Sequence, residues 1–321
     1  MHAIIVADLE GVSGVYDFEN VSRNNALLTN EVESCILALR EKGVFEITVC
    51  DSHDAGDSIC QKMLKKYGVT FFSQTTGLSS LKHYNYDFAI LLGFHGMNGS
   101  GGILEHTLRP DVRSVRLESG VEIGEVEILN RWFGSLNIPV ILVIGDVEAV
   151  REGNYFNPYR SVCCVKGSYF SSPPENYQLI YDKIKQSVES AMKLDRHSCI
   201  TPDDLPVYVE FDKRDEEVSA LDSVRYIGKK TLRYENCCDL HCNFESLIDK
   251  LNIMLKDNEK ENIAFVKEIR NLVKDIPREM VSNPQILQML SKNLAWLTAD
   301  ERETIKNYLC ILKKEIESNK Q

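Results

Sequence analysis

The stretch Met1-His2-Ala3-Ile4-Ile5-Val6-Ala7-Asp8-Leu9-Glu10-Gly11-Val12-Ser13-Gly14 decides how the rest of the chain is read. An apolar run rich in β-branched residues stops at two acidic residues one position apart, and a glycine-punctuated turn follows. That pattern predicts a buried strand delivering carboxylates to its C-terminal tip. Three later runs end in the same way. Ser52-His53 follows Val44 to Asp51, Phe94-His95 follows Asp87 to Gly93, and Gly145-Asp146 follows Pro139 to Ile144. Between the first two runs, Leu28, Val32, Cys35, Ile36 and Leu39 recur at helical spacing, so Asn25 to Lys42 reads as an amphipathic helix stopped by Gly43. Strand, helix and strand make a βαβ unit with a right-handed crossover. In an open parallel sheet the carboxyl ends of the strands line one crevice, where ligands bind.

The expected fold is α/β, with a mostly parallel central sheet flanked by helices, a smaller α+β portion and a helical C-terminal extension. Tyr16 to Asn25 reads as a polar loop, Ile59 to Tyr67 as a short helix and Val69 to Ser73 as a weak strand, with a linker containing Gly77 beyond it. Gly96, Gly99, Gly101 and Gly102 make the segment after His95 a turned loop. Val112 to Leu117 and Val121 to Ile123 suit a hairpin around Ser119-Gly120, and Glu125 to Phe133 suits a helix. Pro158, Pro173 and Pro174 mark a break before a helix at about Glu175 to Leu194, and Val207 to Phe211 alternates as a strand. From Lys256 onward Lys, Glu and Asn dominate, with Ile263, Val266, Ile269 and Val273 at helical spacing and Pro277 and Pro284 interrupting. The expected division is a catalytic α/β region at 1–200, a smaller α+β portion at 201–255 and the helical extension at 256–321.

The chain has 321 residues, enough to bury a sizeable core, and a formal net charge of -11. Acidity on that scale argues against nucleic acid or an acidic membrane as a generic partner, since both need a basic surface. No secretory signal opens the sequence, because the first apolar run breaks at Asp8, and no later run is long enough to span a bilayer. A cytoplasmic protein with its ten cysteines reduced is the expectation. Within Cys237-Cys238-Asp239-Leu240-His241-Cys242 the residue types suit zinc, but structural zinc sites draw on two separated ligand pairs and no second pair stands at matching spacing.

Asp8, Glu10, His53 and His95 follow the predicted strands, and the Gly124-Glu125 turn adds a further carboxylate. Two imidazoles and three carboxylates suit zinc or a similar divalent ion. The charge sum favours a pair of ions: three facing carboxylates repel one another, whereas two dications leave about one positive charge, which a bridging hydroxide would neutralise.

The strings Asp8-Leu9-Glu10-Gly11-Val12-Ser13-Gly14, Asp51-Ser52-His53, Gly93-Phe94-His95-Gly96, Glu105-His106-Thr107, Gly124-Glu125 with Asn130, and Gly145-Asp146 resemble, in order and approximate separation, the D-aminopeptidase (DppA) family of zinc metallopeptidases. The resemblance covers about Met1 to Leu255. It implies that Asp8, Glu10, His53, His95 and Glu125 bind two zinc ions per subunit, with Asp8 bridging, and that His106 is the catalytic residue, as nucleophile or as acid and base. It also implies a cytoplasmic aminopeptidase acting on short peptides of the D-Ala-D-Ala type, assembled as a ring-like homo-oligomer such as a decamer. The chain departs from the family pattern at Cys50, Thr107 and Val147, none of them an implied ligand.

Two other functions fit the residues. The same cluster could act on another small amide or a phosphoester, although no P-loop or basic phosphate cluster is evident. A non-catalytic scaffold could retain the fold and use the helical extension for interaction.

Overall fold

The structure is a computed structural model that describes residues 1–18, 20–53, 56–73, 85–167, 176–211, 231–240, 268–269, 272 and 299–318. It comprises two compact units, Met1–Glu245 and Ser246–Gln321.

In the first unit six parallel strands form one sheet. They are β1 (His2–Ala7), β2 (Glu46–Asp51), β3 (Thr70–Ser73), β4 (Phe88–Phe94), β6 (Val140–Asp146) and β7 (Ser161–Lys166), in the order β3-β2-β1-β4-β6-β7. The chain first winds outward from β1 to β3, then returns to place β4 on the other side of β1, so the winding reverses between β1 and β4. Such a reversal opens a crevice at the strand tips.

Residues of β1 are buried on both faces, as parallel strands require when helices cover both sides of a sheet. Ala3, Ile5 and Ala7 pack with Leu28, Val32, Ile36 and Leu39 of α1 (Val21–Glu41), and Ile180, Ile184 and Val188 of α5 (Tyr177–Ala191) join the same core. Ile4 and Val6 face the opposite core, built on Val126, Leu129, Trp132 and Phe133 of α3 (Glu125–Ser135) and Ala149 of α4 (Val147–Phe156). The short α2 (Gln61–Leu64) precedes β3.

Two glycines draw the tips of β1 and β4 together. A Cβ on Gly11 would lie 1.7 Å from the Phe94 carbonyl oxygen, and one on Gly93 would lie 2.0 Å from that of Asp8. Gly93 also has φ +77°, a conformation open to glycine at little cost. With side chains absent, Gly11 N–H donates to Gly93 O at 2.7 Å and Asp8 N–H to Leu92 O at 2.8 Å.

Some elements depart from the sequence expectation. Helix α1 begins at Val21 because Asn20 caps it, its side-chain oxygen accepting from Arg23 N–H at 3.1 Å. That polar first turn carries no apolar periodicity. Around Ser119-Gly120 the expected hairpin is present in its hydrogen bonds, with Ile123 N–H donating to Val115 O at 2.9 Å. Its first strand, β5 (Val112–Leu117), also pairs antiparallel with β8 (Val207–Phe211), which pairs with β9 (Thr231–Tyr234). The expected smaller portion thus shares a three-stranded sheet with a segment from the middle of the first 200 residues. Helix α4 and strand β7 were not anticipated.

In the second unit α6 (Ala299–Ser318) buries Ile305, Leu309 and Leu312 on one stripe, and Lys306 pairs with Glu268 at 2.7 Å. The linker at Gly77, the cluster members His241 and Cys242, and Ile263, Val266, Val273, Pro277 and Pro284 lie outside the described residues. Among the described residues no helix is long and apolar enough to cross a membrane.

Candidate metal centre

The tips of β1, β2 and β4 and the start of α3 meet in the crevice. Asp8 directly follows β1, and Glu10 stands in the turn closed by Val12 N–H donating to Leu9 O at 3.1 Å. His53 follows β2, whose tip is tied to β1 by Ser52 N–H donating to Ala7 O at 2.8 Å. His95 follows β4, and Glu125 opens α3, where the helix dipole favours a carboxylate.

His95 Nε2 lies 3.6 Å from both Asp8 Oδ2 and Glu125 Oε1, His53 Nε2 lies 3.4 Å from Glu10 Oε1, and His106 Nε2 lies 3.8 Å from Glu125 Oε1. Most of these separations are too long for good hydrogen bonds. They match instead two ligands of one tetrahedral ion, whose bonds of about 2.1 Å put neighbouring ligand atoms roughly 3.4 Å apart. Two overlapping groups, Asp8, Glu10, His95 and His95, His106, Glu125, each hold their ligand atoms within 4.8 Å of one another. His53 joins them through Glu10.

The donor set fits zinc by chemistry and by what it leaves unsatisfied. Asp8 Oδ2, Glu10 Oε2 and His95 Nε2 are inaccessible to solvent and have no hydrogen-bond partner among the described residues. The other ring nitrogens are anchored: His95 Nδ1 donates to Gly96 O at 2.9 Å, His106 Nδ1 donates to Leu104 O at 3.0 Å, and His53 Nδ1 bonds Ser58 Oγ at 2.7 Å. A carbonyl can only accept, so either ring, when neutral, carries its lone pair on the Nε2 that faces the cluster.

Without a cation the cluster is electrostatically tense. Burial pushes the Asp8 carboxyl well above the usual range, and Glu10 and Glu125 push it further. Burial acts the same way on Glu10, but the His53 hydrogen bond and the charges of His95, His53 and His106 outweigh it and hold Glu10 low. Burial disfavours His95 imidazolium, yet Glu125, Asp8 and Glu10 together push its pKa up to about 10. A proton on His95 is therefore the local counter-charge, and a dication must displace it.

His106 is held by the glycine-rich loop. The Glu105 carboxylate gathers that loop, accepting from Gly99 N–H at 3.2 Å, Ser100 Oγ at 3.0 Å, Gly102 N–H at 2.9 Å and also Gly101 N–H. Leu104 and Leu108, on either side, have φ +61° and +63°, a left-handed conformation costing on the order of 1–2 kcal/mol each in a non-glycine residue. Leu108 N–H donates to Glu125 Oε1 at 2.8 Å, and the His106 ring stacks on His95 with centroids 4.2 Å apart. The loop thus positions His106 beside Glu125.

Other polar residues near the crevice are structural. Asp51 accepts from Ile59 N–H at 2.8 Å and His53 N–H at 3.3 Å. Asp146 caps α4, accepting from Ala149 N–H at 2.8 Å, and its second oxygen accepts from Gly96 N–H at 3.1 Å, bracing the His95 loop. Asn130 faces away, bonding Glu127 at 2.8 Å, Thr201 at 2.7 Å and Arg160 at 2.6 Å. Cys237 and Cys238 offer their N–H groups to Asp203 at 2.8 and 2.7 Å. Lys166, at the end of β7, was not anticipated near the site: it is 1% exposed, and burial pushes its ammonium down to about 8. A charged residue closing a buried run was its one visible signal.

Comparison with known proteins agrees with this architecture. A D-aminopeptidase from Bacillus subtilis (strain 168) is 25% identical over 231 residues, 66% of this chain and 81% of the relative. The solved structure described as Zn-dependent D-aminopeptidase DppA from Bacillus subtilis, a self-compartmentalizing protease, has the same fold, with a TM-score of 0.66 at 20% identity over 77% of this chain and 97% of that one. The family model for D-aminopeptidase matches residues 1–240, which include every strand of both sheets. The chain therefore belongs to the D-aminopeptidase family of peptide hydrolases.

Proposed function

We propose that the chain is a dizinc aminopeptidase that hydrolyses the N-terminal peptide bond of short peptides, those with D-amino acids of the D-Ala-D-Ala type among them. Asp8, Glu10, His53, His95 and Glu125 would hold the two ions, with Asp8 between them. The observation that carries this reading is the set of unpartnered, solvent-inaccessible atoms Asp8 Oδ2, Glu10 Oε2 and His95 Nε2 at one set of strand tips. Burying such atoms without a partner costs on the order of 1–3 kcal/mol each, more when charged, and a bound cation removes that cost. When bound, the metal pair supplies Lewis acidity toward the scissile carbonyl and lowers the pKa of water.

The chain's own residues orient and move protons. His106 presents a lone pair at Nε2, fixed by the Leu104 carbonyl on the far side of the ring, and is the group that takes a proton and returns it to the leaving amine. Glu125, at the start of α3, accepts from Leu108 N–H at 2.8 Å and so ties the loop that carries His106 to the helix. By analogy with the self-compartmentalizing relative, the working form is a ring-like homo-oligomer such as a decamer, with access limited to small peptides. Free thiols at the described cysteines accord with a reducing, cytoplasmic setting.

A matched panel of D- and L-aminoacyl peptides, assayed with wild type, His106→Ala and Asp8→Ala, tests the reading. Cleavage of D-aminoacyl peptides by wild type and loss in both variants is expected. Full activity of metal-stripped Asp8→Ala would overturn the dimetal mechanism, and activity confined to other amides would replace the substrate class.

A further inference from the structure

Glu10 differs from Asp8, His95 and Glu125 in how it is held, and like His53 it lies past the end of its strand. Asp8 and His95 extend directly from strands, and Glu125 from a helix, so the sheet and helix ladders set their positions. Glu10 hangs from the Leu9-Glu10-Gly11-Val12 turn, beyond the last rung of β1. On one side the following peptide is wedged against β4, where Gly11 meets the Phe94 carbonyl. On the other side stands Lys166.

Lys166 reaches this point from β7, two strands away from β4 in the sheet. Its side chain is fully buried, its Nζ donates to the main-chain carbonyl of Glu10, and the ammonium lies 5.5 Å from the centroid of the Tyr16 ring. Asp146, Glu10, Glu31 and Asp8 all act on its charge. Glu31 itself is buried and accepts from Ser13 N–H at 2.8 Å, which ties α1 to the same glycine-punctuated turn. Burying a lysine is expensive unless it is paired, and among the described residues this one donates to a backbone carbonyl of the turn that carries Glu10.

We propose that Lys166 is a positioning residue for the metal centre, fixing the Glu10 turn so that the carboxylate meets the ion, and that it does so by its hydrogen bond rather than by its charge. This rests on the metal-centre reading above. The two possible effects of Lys166 have opposite signs. A buried cation repels an incoming dication, so on charge alone its removal would tighten zinc binding. Loss of an outer-sphere support typically weakens metal affinity 10- to 100-fold.

The test is zinc affinity by competition with a chromogenic chelator, on full-length wild type, Lys166→Met and Lys166→Arg, with thermal melts of the metal-free proteins alongside. The expected result is a zinc affinity about 10- to 100-fold weaker in Lys166→Met and recovered in Lys166→Arg, which keeps a donor at that place. Unchanged or tighter zinc binding in Lys166→Met, with or without a lower melting temperature, would overturn the role. So would an equal loss in both variants, which would mark a packing effect. Should Lys166→Met not fold, Lys166→Gln, shorter and uncharged, is read by the same criteria. Failure of wild type to bind zinc is a different outcome: it would overturn the metal-centre reading, and this inference with it.

Discussion

Helix α3 serves two clusters of polar residues at once, and they are built on opposite terms. At its first residue Glu125 faces His95 and His106 across gaps of 3.6 and 3.8 Å, with buried donor atoms of Asp8, Glu10 and His95 left unbonded. A turn further on, Asn130 binds Glu127, Thr201 and Arg160 directly, at 2.6 to 2.8 Å. Residue types overlap and both clusters are buried, yet the second closes its side chains onto one another at hydrogen-bond distance, with Arg160 Nε and Nη1 left over among the described residues, while the first is held apart. The rings of His95, His106 and His53 are braced from behind by Gly96, Leu104 and Ser58, and on the metal-centre reading proposed above this bracing keeps room for a cation among them.

The contrast is broken most severely at Asp8. Asp8→Ala is expected to lose about 10³-fold or more in kcat/KM, several kcal/mol of transition-state stabilisation, and to lose bound zinc as well. His106→Ala sharpens it, since activity should fall about 10²- to 10⁴-fold with zinc content largely kept. Zinc loss equal to that of Asp8→Ala would place His106 among the ligands, an arrangement its distance to Glu125 also permits.

On the self-bonded side, Asn130→Ala removes the short bonds to Arg160 and Thr201, which keep only 3.4 Å contacts with each other and with Asn157 among the described residues, and should cost about 1–3 kcal/mol of stability, with zinc content unchanged. A denaturant titration beside a metal assay checks both halves. Glu152→Gln is read from the pH dependence of stability alone. Burial pushes the Glu152 carboxyl up to about 7, so the folded state holds its proton where the unfolded chain releases it. That contribution is present at low pH and is lost as pH rises through about 7, at most on the order of 3 kcal/mol across the interval. Thermal melts of the metal-free protein between pH 5 and 8 should therefore show a flatter profile for the variant than for wild type.

The strand tips were legible in the sequence because apolar, β-branched runs that break at Asp8, His53 and His95 announce their own ends. The approach of those tips was legible only in outline, through glycines whose close contacts, as at Gly11 and Gly93, appear once the strands are paired. Lys166 was not legible, because its partner is a backbone carbonyl in the first turn of the chain and nothing local marks that pairing. Nor was the union of β5 with β8, an antiparallel pairing with most of a domain between its strands. Asn130 stood within the recognised string, but only its neighbours Arg160 and Thr201 give it a packing role.

The central claim is that the buried carboxylates and imidazoles at the strand tips are apart because they hold metal. Elemental analysis of the full-length protein, purified without chelators, tests this most directly. The account predicts about two zinc ions per chain in wild type; fewer than about one ion per chain, in protein that is folded and otherwise intact, would contradict it.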